Sequence, residues 1–213
     1  MMEENTMKVR EYTVREEIYS FNELSESAKE NARQKYLESF RETDMFSEML
    51  QDDLKEIFPK SDLQVKYSLS CCQGDGLDVY GIFYISDICE YVRLSKDYES
   101  LSDKEKRFLN FLAKRDFTIK CNDYNTYCYY TSKVSDIQWN IEYDLESEYF
   151  RDIPYDTIEK IVKIFDDRLQ EYCSIKKKEG YDFFYTADDD EIIEVWETND
   201  YEGFTKNGDP VYV

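Results

Sequence analysis

Leu24, Ala28, Ala32, Tyr36 and Phe40 recur every four residues, a spacing that lines one face of a helix. Ser25 suits its N-cap, and Glu26 falls in the first turn, where the helix dipole favours a carboxylate. Phe46, Met49, Leu50, Leu54, Ile57 and Phe58 predict a second helix over 44–58, stopped by Pro59. Before these helices, residues 8–20 carry Tyr12, Val14, Ile18 and Tyr19 in partial alternation and read as an opening strand.

Val65, Tyr67 and Leu69 alternate with Lys66 and Ser68, the mark of a half-buried strand. The turn Gln73-Gly74-Asp75-Gly76 then sends the chain back along 77–85 as a hairpin. Ser102-Asp103-Lys104-Glu105 is a capping box, and Phe108, Leu109, Phe111 and Leu112 follow it on a helix. Residues 117–121, 127–134 and 137–143 predict a meander of strands. Pro154 fits the first turn of a long helix whose buried stripe is Ile158, Ile161, Val162, Phe165 and Leu169. A short acidic helix over 188–199 precedes a closing hairpin of 203–205 and 211–213, turned at Asn207-Gly208. The expected fold is α+β: a single domain over 1–213, with an antiparallel sheet of about five to seven strands packed by three or four helices. A small lobe over 86–116 is the one subdivision the pattern suggests.

Composition excludes a disordered acidic tail. Apolar residues make up 41% of the chain and aromatics 16%, enough to offset the entropy of ordering. No apolar run approaches the ~20 residues that span a bilayer. The N-terminal Met1-Met2-Glu3-Glu4-Asn5 lacks the basic and apolar regions of a secretory signal, so a cytoplasmic protein is expected.

Charge changes the picture most. There are 48 Asp and Glu against 27 Lys and Arg, a formal net charge of -21, and no histidine. A domain of this size needs only roughly 2–8 charges for solubility, and the excess costs the compact state through self-repulsion. To a partner, such a surface resembles a nucleic-acid backbone. It predicts no direct binding to DNA, RNA or anionic membranes, and attraction to proteins built to hold nucleic acid.

The acids concentrate in two clusters. Between Tyr181 and Gly203 there are nine acids and no Lys or Arg: Asp182, Asp188, Asp189, Asp190, Glu191, Glu194, Glu197, Asp200 and Glu202. Asp190, Glu194 and Glu197 share one helical face about 5–6 Å apart, a spacing of the same order as the phosphate repeat. Their mutual repulsion predicts that neutralising them does not weaken the fold. The second cluster, Glu142, Asp144, Glu146, Glu148 and Asp152, is interleaved with Tyr143, Tyr149, Phe150 and Tyr155 and suits Arg and Lys. Both clusters are candidate partner-binding surfaces, with plain solvated surface as the alternative.

Nucleophilic catalysis through a Ser-His or Cys-His pair is excluded by the absence of histidine. Gln73-Gly74-Asp75-Gly76 is no phosphate loop, since it lacks the Lys-Ser/Thr ending and Asp75 opposes a phosphate. Asp75 and Asp78 are cation ligands in principle, without an EF-hand pattern. No cofactor is expected. Zinc is the minority alternative, with Cys71, Cys72, Cys89, Cys121 and Cys128 as candidate ligands; against it stands their reading as small buried hydrophobes in a reducing cytosol, without disulfides.

Three stretches carry a resemblance: Phe21-Asn22-Glu23-Leu24-Ser25 with Ala28-Lys29; Tyr67-Ser68-Leu69-Ser70 with Cys72-Gln73-Gly74-Asp75-Gly76; and Asn199-Asp200-Tyr201 through Phe204 to Asn207-Gly208. Together they are similar to a group of acidic proteins of bacteriophages and mobile elements of Gram-positive bacteria. The resemblance implies a phage-type accessory protein acting in the host bacterial cytoplasm, and it transfers no catalytic residue. Acidic accessory proteins of this sort include anti-CRISPR inhibitors, some of which mimic nucleic acid. The expected function is therefore a stoichiometric, non-enzymatic inhibitor that binds a cationic groove of a host nucleic-acid-binding protein, a CRISPR effector nuclease foremost. It would block nucleic-acid loading or conformational activation. The alternatives are a carboxylate-dependent metal enzyme and an acidic, antitoxin-like structural partner.

Overall fold

The computed structural model describes residues 15, 17–71, 75–121, 155–199 and 201–212. In chain order these form α1 (Glu26–Phe40), α2 (Thr43–Ile57), β1 (Asp62–Ser68), β2 (Gly76–Tyr84), α3 (Ile85–Arg93), α4 (Asp103–Leu112), β3 (Thr118–Cys121), α5 (Tyr155–Tyr185), α6 (Asp189–Thr198), β4 (Tyr201–Phe204) and β5 (Pro210–Tyr212). The fold is α+β, with two small antiparallel sheets among the described residues, one of three strands and one of two. The strands expected over 127–134 and 137–143 lie outside the described residues. Two compact units divide the chain: residues 41–186, and the residues up to 40 together with those from 187 onward. The 86–116 segment lies inside the first of these.

In the 41–186 unit, β2 is the central strand, pairing antiparallel with β1 (Val65 opposite Val79) and with β3 (Phe83 opposite Ile119). The 31-residue α5 packs across β2 and against α2, α3 and α4. Ile158, Ile161, Val162, Phe165 and Leu169 are all buried, and Cys173 extends the same stripe. Phe58 meets Phe83 edge-on at 5.2 Å, and Phe83 meets Phe165 at 5.4 Å. Each large apolar side chain so buried contributes about 1.5–3 kcal/mol relative to exposure. The capping box forms as the sequence predicts: Ser102 Oγ accepts from the Glu105 N–H, and the Glu105 carboxylate accepts from the Ser102 N–H.

One element departs from expectation. The second hairpin strand stops at Tyr84, and Ile85 opens α3 without a loop. Ile85, Ile88, Cys89 and Val92 recur at helical spacing and are buried. Buried Asp87 holds the junction, accepting from the Lys60 N–H at 2.9 Å and Ser61 Oγ at 2.7 Å, while Ser61 Oγ accepts from the Tyr84 N–H at 3.0 Å.

The other unit joins α1, α6 and the β4–β5 hairpin around Phe21, Ala28, Ala32, Tyr36, Ile192, Trp196 and Phe204. Ser25 Oγ accepts from the Ala28 N–H at 3.3 Å, the capping role its position predicts. Of the strand expected over 8–20, the described residues contain a single bridge, Tyr19 with Phe204; residues 8–14 lie outside them. Gly208 sits at φ 85° in the hairpin turn, where a Cβ would run into the Ala28 carbonyl. Among the described residues no helix is long and apolar enough to cross a membrane.

Candidate functional site

Helix α6 sorts its carboxylates into two kinds. Ile192 and Trp196 are buried and fix which face turns inward. Asp188 is the N-cap, its carboxylate accepting from the Asp190 N–H at 2.8 Å. Asp189 takes a bidentate pair from Arg33 of α1, Nε to Oδ1 at 2.7 Å and Nη2 to Oδ2 at 3.0 Å. That hydrogen-bonded guanidinium holds the Asp189 carboxyl below its ordinary range, and Asp189 in turn raises Arg33. Asp188 thus caps α6, and Asp189 ties it to α1. Glu191 is half-buried.

Asp190, Glu194 and Glu197 are the other kind. They are exposed along one stripe, and among the described residues none of their carboxylates makes a hydrogen bond or ion pair. Asp190 differs from the other two: it lies in the first turn, where the helix dipole offsets its repulsion of Glu194. Asp200 lies outside the described residues. So do Glu142, Asp144, Glu146, Glu148 and Asp152, and with them the whole second cluster.

The strand β4 brings a further acid to α6. Tyr201 pairs with Tyr212 and Gly203 with Val211, so Glu202 is the extra residue of a β-bulge. Gly203, at φ 146°, follows it. Behind Glu197 and Glu202 is a cavity of about 180 Å³ whose walls include Phe21, Trp196, Tyr201 and Phe204. Trp196 is 3% exposed, and its Nε1 has no hydrogen-bond acceptor among the described residues. The sequence signals only the acids and the aromatics here; the bulge that brings Glu202 beside them follows from pairing with β5.

Of the candidate metal ligands, Cys71 is exposed, Cys89 and Cys121 are buried in the core of the 41–186 unit, and Cys72 and Cys128 lie outside the described residues. Burial pushes the Cys89 thiol up to about 12, the opposite of what a metal thiolate needs. Among the described residues no group of three or more Cys, Asp or Glu is arranged to hold a metal. Asp75 is 1% exposed and already engaged by Tyr181 OH at 2.6 Å, Ser70 Oγ at 3.1 Å and Ser68 Oγ at 3.3 Å, which ties the hairpin end to α5. Asp78 stands opposite Lys66 in the antiparallel register of β1 and β2.

A second concavity, of about 450 Å³, lies in the 41–186 unit beside Tyr91, Leu94, Arg168, Tyr172 and Ile175. Arg168 stacks over Tyr91 at 4.2 Å and donates to its carbonyl. Burial raises both tyrosines, Tyr91 to about 12. Glu56 and Glu171 also line the concavity. No protein-family profile matches the chain, and no similar curated protein or solved structure was found.

Proposed function

We propose that this chain is a non-catalytic inhibitor that occupies a cationic groove of a nucleic-acid enzyme in the bacterial cytoplasm. An RNA-guided CRISPR nuclease is the favoured target. The supporting observation is the stripe Asp190, Glu194 and Glu197: exposed carboxylates, unpaired among the described residues, on a helix whose Asp188 and Asp189 are consumed by its own fold. A chain of net charge -21 keeps such a stripe at a cost in self-repulsion, and a positive partner relieves that cost. The mechanism is exclusion. The acidic face meets the Lys and Arg that line a heteroduplex channel, and the bulk of the protein keeps nucleic acid out or stops a lobe from moving.

The test is titration into a purified, guide-loaded nuclease. Cleavage should fall to zero near equimolar chain, with target-DNA binding lost in parallel, and D190N/E194Q/E197Q should inhibit more weakly. Full cleavage with the chain in large excess excludes that target. Inhibition at amounts far below the nuclease would require turnover and favour an enzyme.

A further inference from the structure

We propose that the groove beside α5, walled by the C-terminal ends of α2 and α3, docks a protein segment in which an apolar side chain is flanked by lysine or arginine. The proposal goes beyond the acidic stripe of α6: the groove lies in the 41–186 unit and uses none of Asp190, Glu194 or Glu197. The concavity beside Tyr91 and Ile175 shares Leu94, Arg168 and Glu171 with a second one of about 440 Å³, lined also by Lys96 and Asp97, so the two form one continuous groove. Its apolar side chains are open to solvent. Leu94, the C-cap of α3, is 73% exposed, and Ile175 of α5 is 50% exposed; half-buried Ile57 of α2 lines the same hollow. Exposed apolar residues scattered singly need no explanation, but these three come from three helices to one groove.

The groove is fixed before a partner arrives. Arg168 Nη1 donates to the Tyr91 carbonyl, the Tyr91 hydroxyl donates back to the Arg168 carbonyl at 3.3 Å, and the guanidinium lies 4.2 Å from the Tyr91 ring centre. Side chains so locked lose little further freedom on binding. The charges say what covers it. Arg168 is spent on Tyr91, and Asp167 is paired with Lys163 at 2.6 Å. Of the other charged side chains in the lining, Glu56, Asp97, Glu171 and Lys96 are exposed and make no hydrogen bond or ion pair among the described residues. Three carboxylates against one ammonium leave the rim negative, on a chain of net charge -21. An apolar segment flanked by acids is repelled there, and a second copy of the chain brings the same negative charge. A leucine or phenylalanine beside lysine or arginine satisfies both the apolar wall and the rim.

The probe is a fluorescein-labelled peptide of leucine and lysine, about 14 residues long and patterned as an amphipathic helix of roughly four turns. It is compared with versions in which every leucine is serine or every lysine is glutamate, with anisotropy as the readout at about 0.15 M salt. The leucine–lysine peptide should bind about tenfold tighter than the serine–lysine one, and the leucine–glutamate one should not bind. L94A/I175A should weaken the leucine–lysine peptide about tenfold, leave the serine–lysine peptide unchanged and keep the wild-type Tm, since both side chains are exposed. E56K/E171K should also weaken it by about tenfold or more, whereas E194K/E197K, the same reversal in the other unit, should cost about threefold or less. Equal binding by L94A/I175A and wild type overturns the groove, as do equal losses in the two charge-reversed variants. Binding of the leucine–glutamate peptide overturns the basic occupant. Sedimentation of the chain alone adds a last outcome: a monomer supports the proposal, and a dimer that L94A/I175A dissociates would assign the groove to a second copy and overturn it.

Discussion

Replacing Asp189 with Ala should destabilise the protein, whereas neutralising its exposed neighbours should not. The side chains of Arg33 and Asp189 are 25% and 45% exposed, so screening discounts the pair, but its bidentate geometry puts it at the upper end of surface pairs, about 0.5–1 kcal/mol. Asp189 also supplies a carboxylate to the first turn of α6, contributing about 0.3–1 kcal/mol through the helix dipole. Together D189A should cost about 1–2 kcal/mol, a fall in Tm of roughly 2–8 °C for a chain of this length. D190N/E194Q/E197Q loses one dipole contact at Asp190 and relieves two repulsions of about 0.2–0.5 kcal/mol each, so the net change should lie near zero. Urea unfolding of D189A, R33A and the double variant isolates the pair's coupling. The Asp189 carboxyl is lowered in the folded state, so its contribution is complete above the unfolded value of about 4 and is lost as pH falls through the folded one. The gap between wild type and D189A should therefore be full at pH 7 and close in acid. Equal stability of D189A and wild type at pH 7 would refute the division of this helix into structural and spare acids.

Three further outcomes follow from the same residues. D190N/E194Q/E197Q should associate with a cationic partner more slowly and with less salt dependence than wild type, read by stopped-flow mixing; an unchanged on-rate removes the stripe from the interface. The chain should not bind bare DNA or RNA oligonucleotides in a mobility-shift assay, and tight, salt-sensitive binding would contradict the reading of its surface. Iodoacetamide should label Cys71 in the folded protein and reach Cys89, Cys121 and Cys173 only after unfolding, as mass spectrometry of the peptides would record.

Elements carried by local chemistry were legible in the sequence. The capping box at Ser102 and Glu105, the four-residue repeat of α1 and the buried stripe of α5 each rest on neighbours within a few turns. What escaped depends on distant partners. Helix α3 shares its first apolar residue, Ile85, with the end of a strand-like run, and the junction is held by Asp87 reaching back to Lys60 and Ser61. The same holds for the site. Its acids and aromatics stand in the sequence, but Arg33 lies 156 positions from Asp189, and the bulge at Glu202 exists only in register with β5. Sequence spacing sets Asp190 on one face with Glu194 and Glu197 but leaves Asp188 and Asp189 among the partner-binding candidates; the cap at Asp188 and the reach of Arg33 to Asp189 separate them.

Salt tests the central claim because it acts with opposite sign on the free and bound protein. In the free chain, 48 acids face 27 bases, and several of those bases are already paired locally, as Arg33, Lys106, Lys160 and Lys163 are. The surplus is repulsive. Raising ionic strength from about 0.01 to 1 M shortens the screening length from roughly 30 to 3 Å, which weakens repulsion across the whole surface but touches short, partly buried pairs less. Tm should therefore rise with added sodium chloride, and the rise should shrink in D190N/E194Q/E197Q. Binding to a cationic partner should move the other way, its affinity falling as the attraction is screened. A surface that is acidic merely for solvation shows the first effect without the second. A falling Tm would mean that attractive pairs, not surplus carboxylates, dominate the free protein, and the basis for a partner-relieved repulsion would be gone.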